Sequence, residues 1–160
     1  MATLRLRPFS LELARDVING HRHDDWAEGY PTAGDHEVAG RIADGAWTPP
    51  SAVQPWGAWA VLDGEVVVGG AGFHGPLDEN GVAEIGYGIA PEWQGCGIAT
   101  AAVRALVELA SAHGARQLVA ATDRDNVASQ RVLEHCGFTL ESTTDDELHW
   151  SLDLLPQSPA

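Results

Sequence analysis

Positive charge is scarce in this chain. Nine Lys and Arg side chains stand against 23 Asp and Glu, a formal net charge of −14. Such a surface repels phosphate backbones and anionic lipid, which argues against a nucleic-acid or membrane partner. It attracts cations, amines among them, although acidity also serves solubility alone. Cysteine is nearly missing: Cys96 and Cys136 are the only two, and they form no metal pattern. With no apolar run at the N-terminus, they point to a cytoplasmic protein with reduced thiols. No apolar stretch is long enough to span a bilayer. No lysine followed by serine or threonine comes after the glycine-rich loop, so a P-loop is excluded. No acidic residue closes a following strand at the distance a dinucleotide fold needs.

What the chain does have is room for one cored domain, at 160 residues and 44% hydrophobic. We place that domain at 1–155 and read 156–160 as a frayed tail. Leu4 to Arg7 alternates as a first strand, and Ser10 caps a helix to about Asn19. His21 to Pro31 reads as loop, Gly34 to Asp44 as a second helix, and Ala46 to Pro55 as irregular chain. Trp56 to Leu62 and Glu65 to Phe73 form a hairpin about Asp63-Gly64, a pair that suits positive φ. Leu77 to Gly81 turns into the next strand. Gln117 to Thr122 is a strand, and Asn126 to His135 a helix with Gly137 just beyond its end. Phe138 to Ser142 and Leu148 to Leu154 close as a strand pair. The order predicts an α/β (α+β) fold, a mixed sheet with helices on both faces.

The densest signal runs from Ala83 to Thr100. Ile85, Tyr87 and Ile89 alternate as a strand, and Pro91 stops it. Gly95 and Gly97 remove side chains where a backbone can approach a ligand closely. From Ala99 to His113 the pattern is helical. The first amides of a helix lack internal acceptors and carry partial positive charge, and a pyrophosphate fits there. A plain strand–helix connection is the competing reading of the loop alone.

Gln94-Gly95-Cys96-Gly97-Ile98-Ala99 resembles the acyl-CoA pyrophosphate loop of the GCN5-related N-acetyltransferases (GNAT superfamily). Asn126-Val127-Ala128-Ser129-Gln130-Arg131-Val132-Leu133-Glu134-His135-Cys136-Gly137-Phe138 resembles the last helix of that superfamily. It is closest to the Rim-type branch, the ribosomal-protein-alanine N-acetyltransferases. The two stretches cover residues 83 to 138 in the right order, and the pair is far more specific than either alone. The resemblance implies a mostly antiparallel sheet of about seven strands flanked by about four helices.

Function follows from the resemblance as an expectation: transfer of an acetyl group from acetyl-CoA to a primary amine by direct attack in a ternary complex. The acceptor is a protein N-terminus or a small amine, since fold likeness does not select between them. Cofactor contacts implied are Tyr87, Gly88, Ile89, Gln94, Gly95, Cys96, Gly97, Ile98, Ala99, Thr100, Asn126 and Ser129. Amides near Tyr87 to Ile89 would polarise the acetyl carbonyl, and Ile89 and its neighbours would pair with the pantetheine arm. Glu84 matches the glutamate used as base in histone-type members, where burial would raise its pKa toward that task, or it is a surface strand carboxylate. Many members carry a tyrosine acid seven residues after the asparagine, and here that position is Leu133. Ser129 is the candidate replacement, or a serine bonding locally. Asn126 caps the helix or bonds the cofactor, or both.

Other residues carry weaker signals. His74 is a second base or a substrate contact, or a loop histidine without a role. Trp26 and Trp47 are candidate walls of the acceptor pocket, while Trp59 and Trp150 fit core positions. Asp24, Asp25, Glu28 and Asp35 could line an acidic mouth, or be scattered surface acids. His21 to Asp25 lacks metal-site spacing, and we expect no metal. Exposed sheet edges leave monomer and homodimer open. A non-catalytic acyl-CoA-binding sensor or interaction domain is the alternative function, favoured slightly by Leu133 and disfavoured by Glu84 and Ser129. A generic domain binding neither ligand requires both motif stretches to be accidental.

Overall fold

Residues 4–154 are described by the computed structural model; the tail read at 156–160 lies outside them. The described chain forms seven strands and four α-helices. Strand β1 (Leu4–Pro8) leads into α1 (Leu11–Asn19), where Ser10 accepts a hydrogen bond from the Leu13 amide at 3.0 Å. Helix α2 (Ala33–Ala43) starts one residue before the expected Gly34. Thr32 sets that start through a reciprocal capping box with Asp35. No helix among the described residues is long and apolar enough to cross a membrane.

Strands β2 (Ala58–Asp63), β3 (Val66–Phe73) and β4 (Val82–Ile89) form an antiparallel meander. Asp63 pairs with Val66, so the hairpin turns on Gly64-Glu65, one residue later than Asp63-Gly64, with Gly64 at φ 61°. The left-handed position still falls on the glycine, the residue that adopts it without steric cost. A short 3-10 turn (Pro91–Trp93) precedes α3 (Ile98–Ala112). Then come β5 (Gln117–Asp123), α4 (Val127–His135), β6 (Thr139–Thr143) and β7 (Glu147–Asp153).

All seven strands join one sheet in the order β1-β2-β3-β4-β5-β7-β6. Only the β4–β5 pair is parallel, and it is short: Val82↔Gln117, Ala83↔Leu118 and Glu84↔Val119. Past that point the two strands no longer pair with each other, so the sheet opens into a wedge whose vertex is Glu84. On one face of β4, Ala83, Ile85 and Ile89 are buried with Val103 and Leu106 of α3 and Leu133 of α4. Thr32 and Asp35, at the start of α2, sit over the opposite face. Trp59 and Trp150 are core residues, 7% and 5% exposed.

Gly69 is a close-packing point between β3 and β4. A Cβ there would lie 2.2 Å from the Gly88 carbonyl oxygen, a backbone atom that no rotamer change can move. Gly69→Ala is therefore expected to destabilise the fold by about 1–3 kcal/mol, as overpacked interiors do. In a thermal melt this is a drop of roughly 2–4 °C per kcal/mol for a domain of this size. An unchanged melting temperature would refute the close approach.

Candidate active site

The wedge and the cavity beside it are built by backbone alternation. Within β4 the Glu84 carbonyl accepts from the His74 amide at 2.9 Å, and the Ala90 amide donates to Val68 at 2.7 Å. Even positions thus turn their polar backbone groups toward β3. Because main-chain direction alternates along a strand, Tyr87 and Ile89 turn theirs toward the open wedge. The amides expected to polarise a carbonyl and pair with an extended ligand therefore face the gap. The Ile89 carbonyl is engaged, accepting from Gln94 Nε2 at 2.9 Å.

At the far end of β4 the chain reaches the glycine loop. Gly95 (φ 77°) and Gly97 (φ 88°) are both left-handed, and a Cβ on either would meet open space. Gly97 is the N-cap of α3 and supplies no side-chain acceptor, and the first turn of that helix holds no acidic residue. The leading amides of a fifteen-residue helix are left for an external anion. Cys96 is exposed, with its thiol on the Trp93 carbonyl at 2.9 Å.

Across the wedge stands α4. Asn126 is its N-cap, its side chain accepting from the Ser129 amide at 3.1 Å. Leu133, where a tyrosine acid was sought, is fully buried in the core. A phenol nevertheless reaches Ser129 from the other side of the gap. Tyr87 Oη donates to the Ser129 carbonyl at 3.0 Å and lies 2.7 Å from Ser129 Oγ. Burial raises the Tyr87 pKa, the hydrogen bond to Ser129 partly offsets this, and nearby Cys136 adds to the rise. Composition alone does not reveal this pairing, because it joins residues 42 apart in sequence.

On the α2 side of the wedge lies a cavity of about 500 Å³. Its floor is paved with glycines at alternate positions, Gly70 and Gly72 on β3 and Gly86 and Gly88 on β4. His74 leans over Gly86, its Nε2 2.6 Å from where a Cβ would stand. Its Nδ1 lies 3.4 Å from Glu84 Oε1. Trp47 stacks on the His74 ring at 6.1 Å between centroids, with the Arg41 guanidinium 5.3 Å from the Trp47 ring.

Several expectations are corrected here. Glu84 is not buried: its side chain is 46% exposed at the vertex of the wedge. It does not line the cavity under α2, which His74 does, but a second one of about 580 Å³ with Glu141 and His149. Trp26 does not wall the cavity. It is a core residue bridged to Val67, edge-on to Tyr30 at 5.2 Å. Asp24, Asp25 and Glu28 are exposed, while Asp35 is buried and lines the cavity. Among the described residues no group of three or more His, Cys, Asp or Glu is placed to hold a metal.

This arrangement has relatives. YjdG of Bacillus subtilis (strain 168), an uncharacterized N-acetyltransferase, is 33% identical over 96 residues. That match covers 58% of this chain and only 57% of the relative's own length. Among solved structures, yncA from Salmonella typhimurium, determined with its cofactor acetyl-CoA, superposes with a TM-score of 0.64 at 18% identity, covering 98% of this chain and 96% of that one. The ribosomal-protein-S5-alanine acetyltransferase from Vibrio fischeri does so with a TM-score of 0.66 at 17% identity, covering 96% and 94%. At such identities these two establish the fold. The profile of the acetyltransferase (GNAT) domain matches residues 3–139, and over that span the chain belongs to the GNAT acetyltransferase family.

Proposed function

We propose that this protein transfers an acetyl group from acetyl-CoA to a primary amine by direct attack in a ternary complex. The observation that carries the proposal is the wedge itself. It opens at Glu84, leaves the Tyr87 and Ile89 amides without a β5 partner, and leads to the uncapped start of α3. In this reading the amides of residues 95 to 100 hold the pyrophosphate, and Asn126 combines capping with a contact to the arm. The amides of Tyr87 and Ile89 face the gap, and we assign them to the oxyanion of the tetrahedral intermediate.

An alkyl ammonium must lose a proton before it attacks a thioester. We assign that task to the Glu84–His74 pair rather than to Glu84 alone. The imidazole reaches the cavity floor, and the carboxylate stands behind it at Nδ1. A carboxylate 3.4 Å from Nδ1 favours the proton on that nitrogen and leaves Nε2 as the acceptor. The ammonium first gives one proton through Nε2 to solvent, and as the neutral amine nitrogen then bonds to the carbonyl carbon, a second proton passes to Nε2. The carbon–sulfur bond then breaks. Ser129 donates a proton to the departing thiolate and is resupplied by Tyr87, while solvent carries the proton on His74 back to the phenol. A thiolate is a good leaving group, since thiols ionise near ~8.5, so this second task is the lighter one.

Tyr87→Phe tests it. The expected result is a fall in kcat of about 10- to 100-fold, at the lower end of general-acid effects, with acetyl-CoA affinity preserved. Unchanged kcat in both Tyr87→Phe and Ser129→Ala would mean that the thiolate leaves unaided.

A non-catalytic acyl-CoA-binding domain is the second reading, and the apolar burial of Leu133 at the usual acid position favours it. Free-thiol release measured with acetyl-CoA across a panel of amines and N-terminal peptides separates the two. Acceptor-dependent release supports the enzyme; binding without release from any acceptor supports the sensor.

A further inference from the structure

The cavity under α2 extends beyond what a base requires. His74 marks one end, over Gly86. The other end lies over Gly70 and Gly88, which face each other across β3 and β4. There α2 lowers Asp35 onto the sheet. The residue is 4% exposed, and its Oδ1 would lie 2.5 Å from a Cβ on Gly70, so the glycine is what makes room for it.

The two oxygens of that carboxylate are differently employed. Oδ2 completes the capping box, accepting from the Thr32 amide at 2.9 Å and the Thr32 hydroxyl at 2.8 Å. Oδ1 is engaged by no hydrogen-bond donor among the described residues, and Asp35 lines the cavity. Capping needs only one oxygen and is normally done at the surface, where the other is solvated. Oδ1 is thus open to the cavity and free to accept from a ligand that brings a charged donor. Nearby, the Tyr30 hydroxyl is buried without a partner, and the Asp35 charge, after burial, holds its proton on. The rim cation is already engaged: Arg41 pairs with Glu37 at 3.3 Å and lies over Trp47. Asp35 therefore supplies the cavity's unpaired charge.

We infer that Asp35 is a specificity residue, and that the acceptor is a short primary amine carrying a second ammonium group. The reacting nitrogen sits at His74 and the distal ammonium on Asp35 Oδ1. Gly86 and Gly70, diagonal neighbours across β4 and β3, set the spacing at ~7–8 Å. An unbranched diamine of about four carbons spans it, its methylenes against Trp47 and Trp59. This inference names the acceptor within the acetyl-transfer reading and rests on it.

The test compares 1,4-diaminobutane with butylamine, which has the same chain and lacks the second nitrogen. In the thiol-release assay with acetyl-CoA, the diamine is expected to have the lower KM by roughly 10- to 100-fold, the value of a hydrogen bond to a charged group. Asp35→Asn retains an oxygen for Thr32 but turns an amide donor into the cavity. It should erase that preference while leaving kcat for butylamine within about twofold, because the chemistry at His74 is untouched. Its melting temperature should equal or exceed that of the wild type at neutral pH. Burial raises the Asp35 pKa, with the Thr32 hydrogen bonds and His36 opposing, so the folded state holds that proton more tightly than the unfolded chain and is penalised when the group ionises. A merely structural Asp35 would instead lose stability and keep the diamine-to-monoamine ratio.

Calorimetry of 1,4-diaminobutane on wild-type and Asp35→Asn protein reads the subsite without catalysis. Diamine binding lost in the variant supports the subsite even if no acetyl transfer occurs, an outcome that would overturn only the transfer reading. Thiol release with N-terminal peptides and no preference for the diamine would overturn the subsite and leave acetyl transfer standing.

Discussion

Replacing His74 by alanine is expected to lower kcat by about 10²- to 10⁴-fold, the range for a positioned general base, with acetyl-CoA affinity unchanged. The ring lies above Gly86 at the cavity floor, and the proposed donor site is the wedge beyond β4. Glu84→Gln should cost less than His74→Ala, because the imidazole remains as the base and loses only the neighbouring carboxylate that stabilises its charged form. The ordering of the two variants decides the assignment. If Glu84→Gln is the more damaging, the carboxylate is itself the base, as the family resemblance suggested. If neither variant slows turnover at neutral pH, the pair has no part in proton removal. Single-turnover rates measured beside the calorimetric Kd for acetyl-CoA keep chemistry and binding apart.

Gly97→Trp is expected to abolish acetyl-CoA binding while the protein remains folded. The residue is the N-cap of α3 at φ 88°, and a Cβ there meets open space in the free protein. The fold therefore pays only the left-handed penalty of an L-residue, about 1–2 kcal/mol. The indole, however, would occupy the place in front of the leading amides where a pyrophosphate must sit. Loss of several charged hydrogen bonds at about 1.5–3 kcal/mol each predicts a Kd weakened by 100-fold or more. A circular-dichroism melt confirms folding, and calorimetry reads the affinity. Normal binding by a folded variant would remove the loop from the cofactor site.

Much of the frame was legible because it is local. The alternation of Ile85, Tyr87 and Ile89, the glycines of the loop, and Asn126 followed by Ser129 each act within a few residues of themselves. The elements were correspondingly placed to within one or two residues, and Asn126 caps α4 as its side-chain chemistry suggests. What sequence did not disclose depends on long-range register. The Tyr87–Ser129 contact forms only when α4 folds back across the wedge. Glu84 was expected to be buried, yet it falls where β4 and β5 part, which a linear pattern cannot locate. Trp26 carries the bulk expected of a pocket wall, but its pairing with Val67 draws it into the core. A signal for the cavity was present in the strands: Gly70, Gly72, Gly86 and Gly88 recur at alternate positions, where small residues mark a close approach or a space kept open. Asp35 was grouped with three surface acids because burial is not written in residue type.

The most direct measurement is titration of acetyl-CoA and desulfo-CoA into the protein by calorimetry, followed by free-thiol release with amine acceptors. Acetyl transfer through the wedge predicts that both ligands bind, since the pyrophosphate and the arm carry the contacts, and that thiol appears only when an acceptor is supplied. Failure of either ligand to bind a folded protein would contradict the assignment of the wedge and the α3 start as a cofactor site.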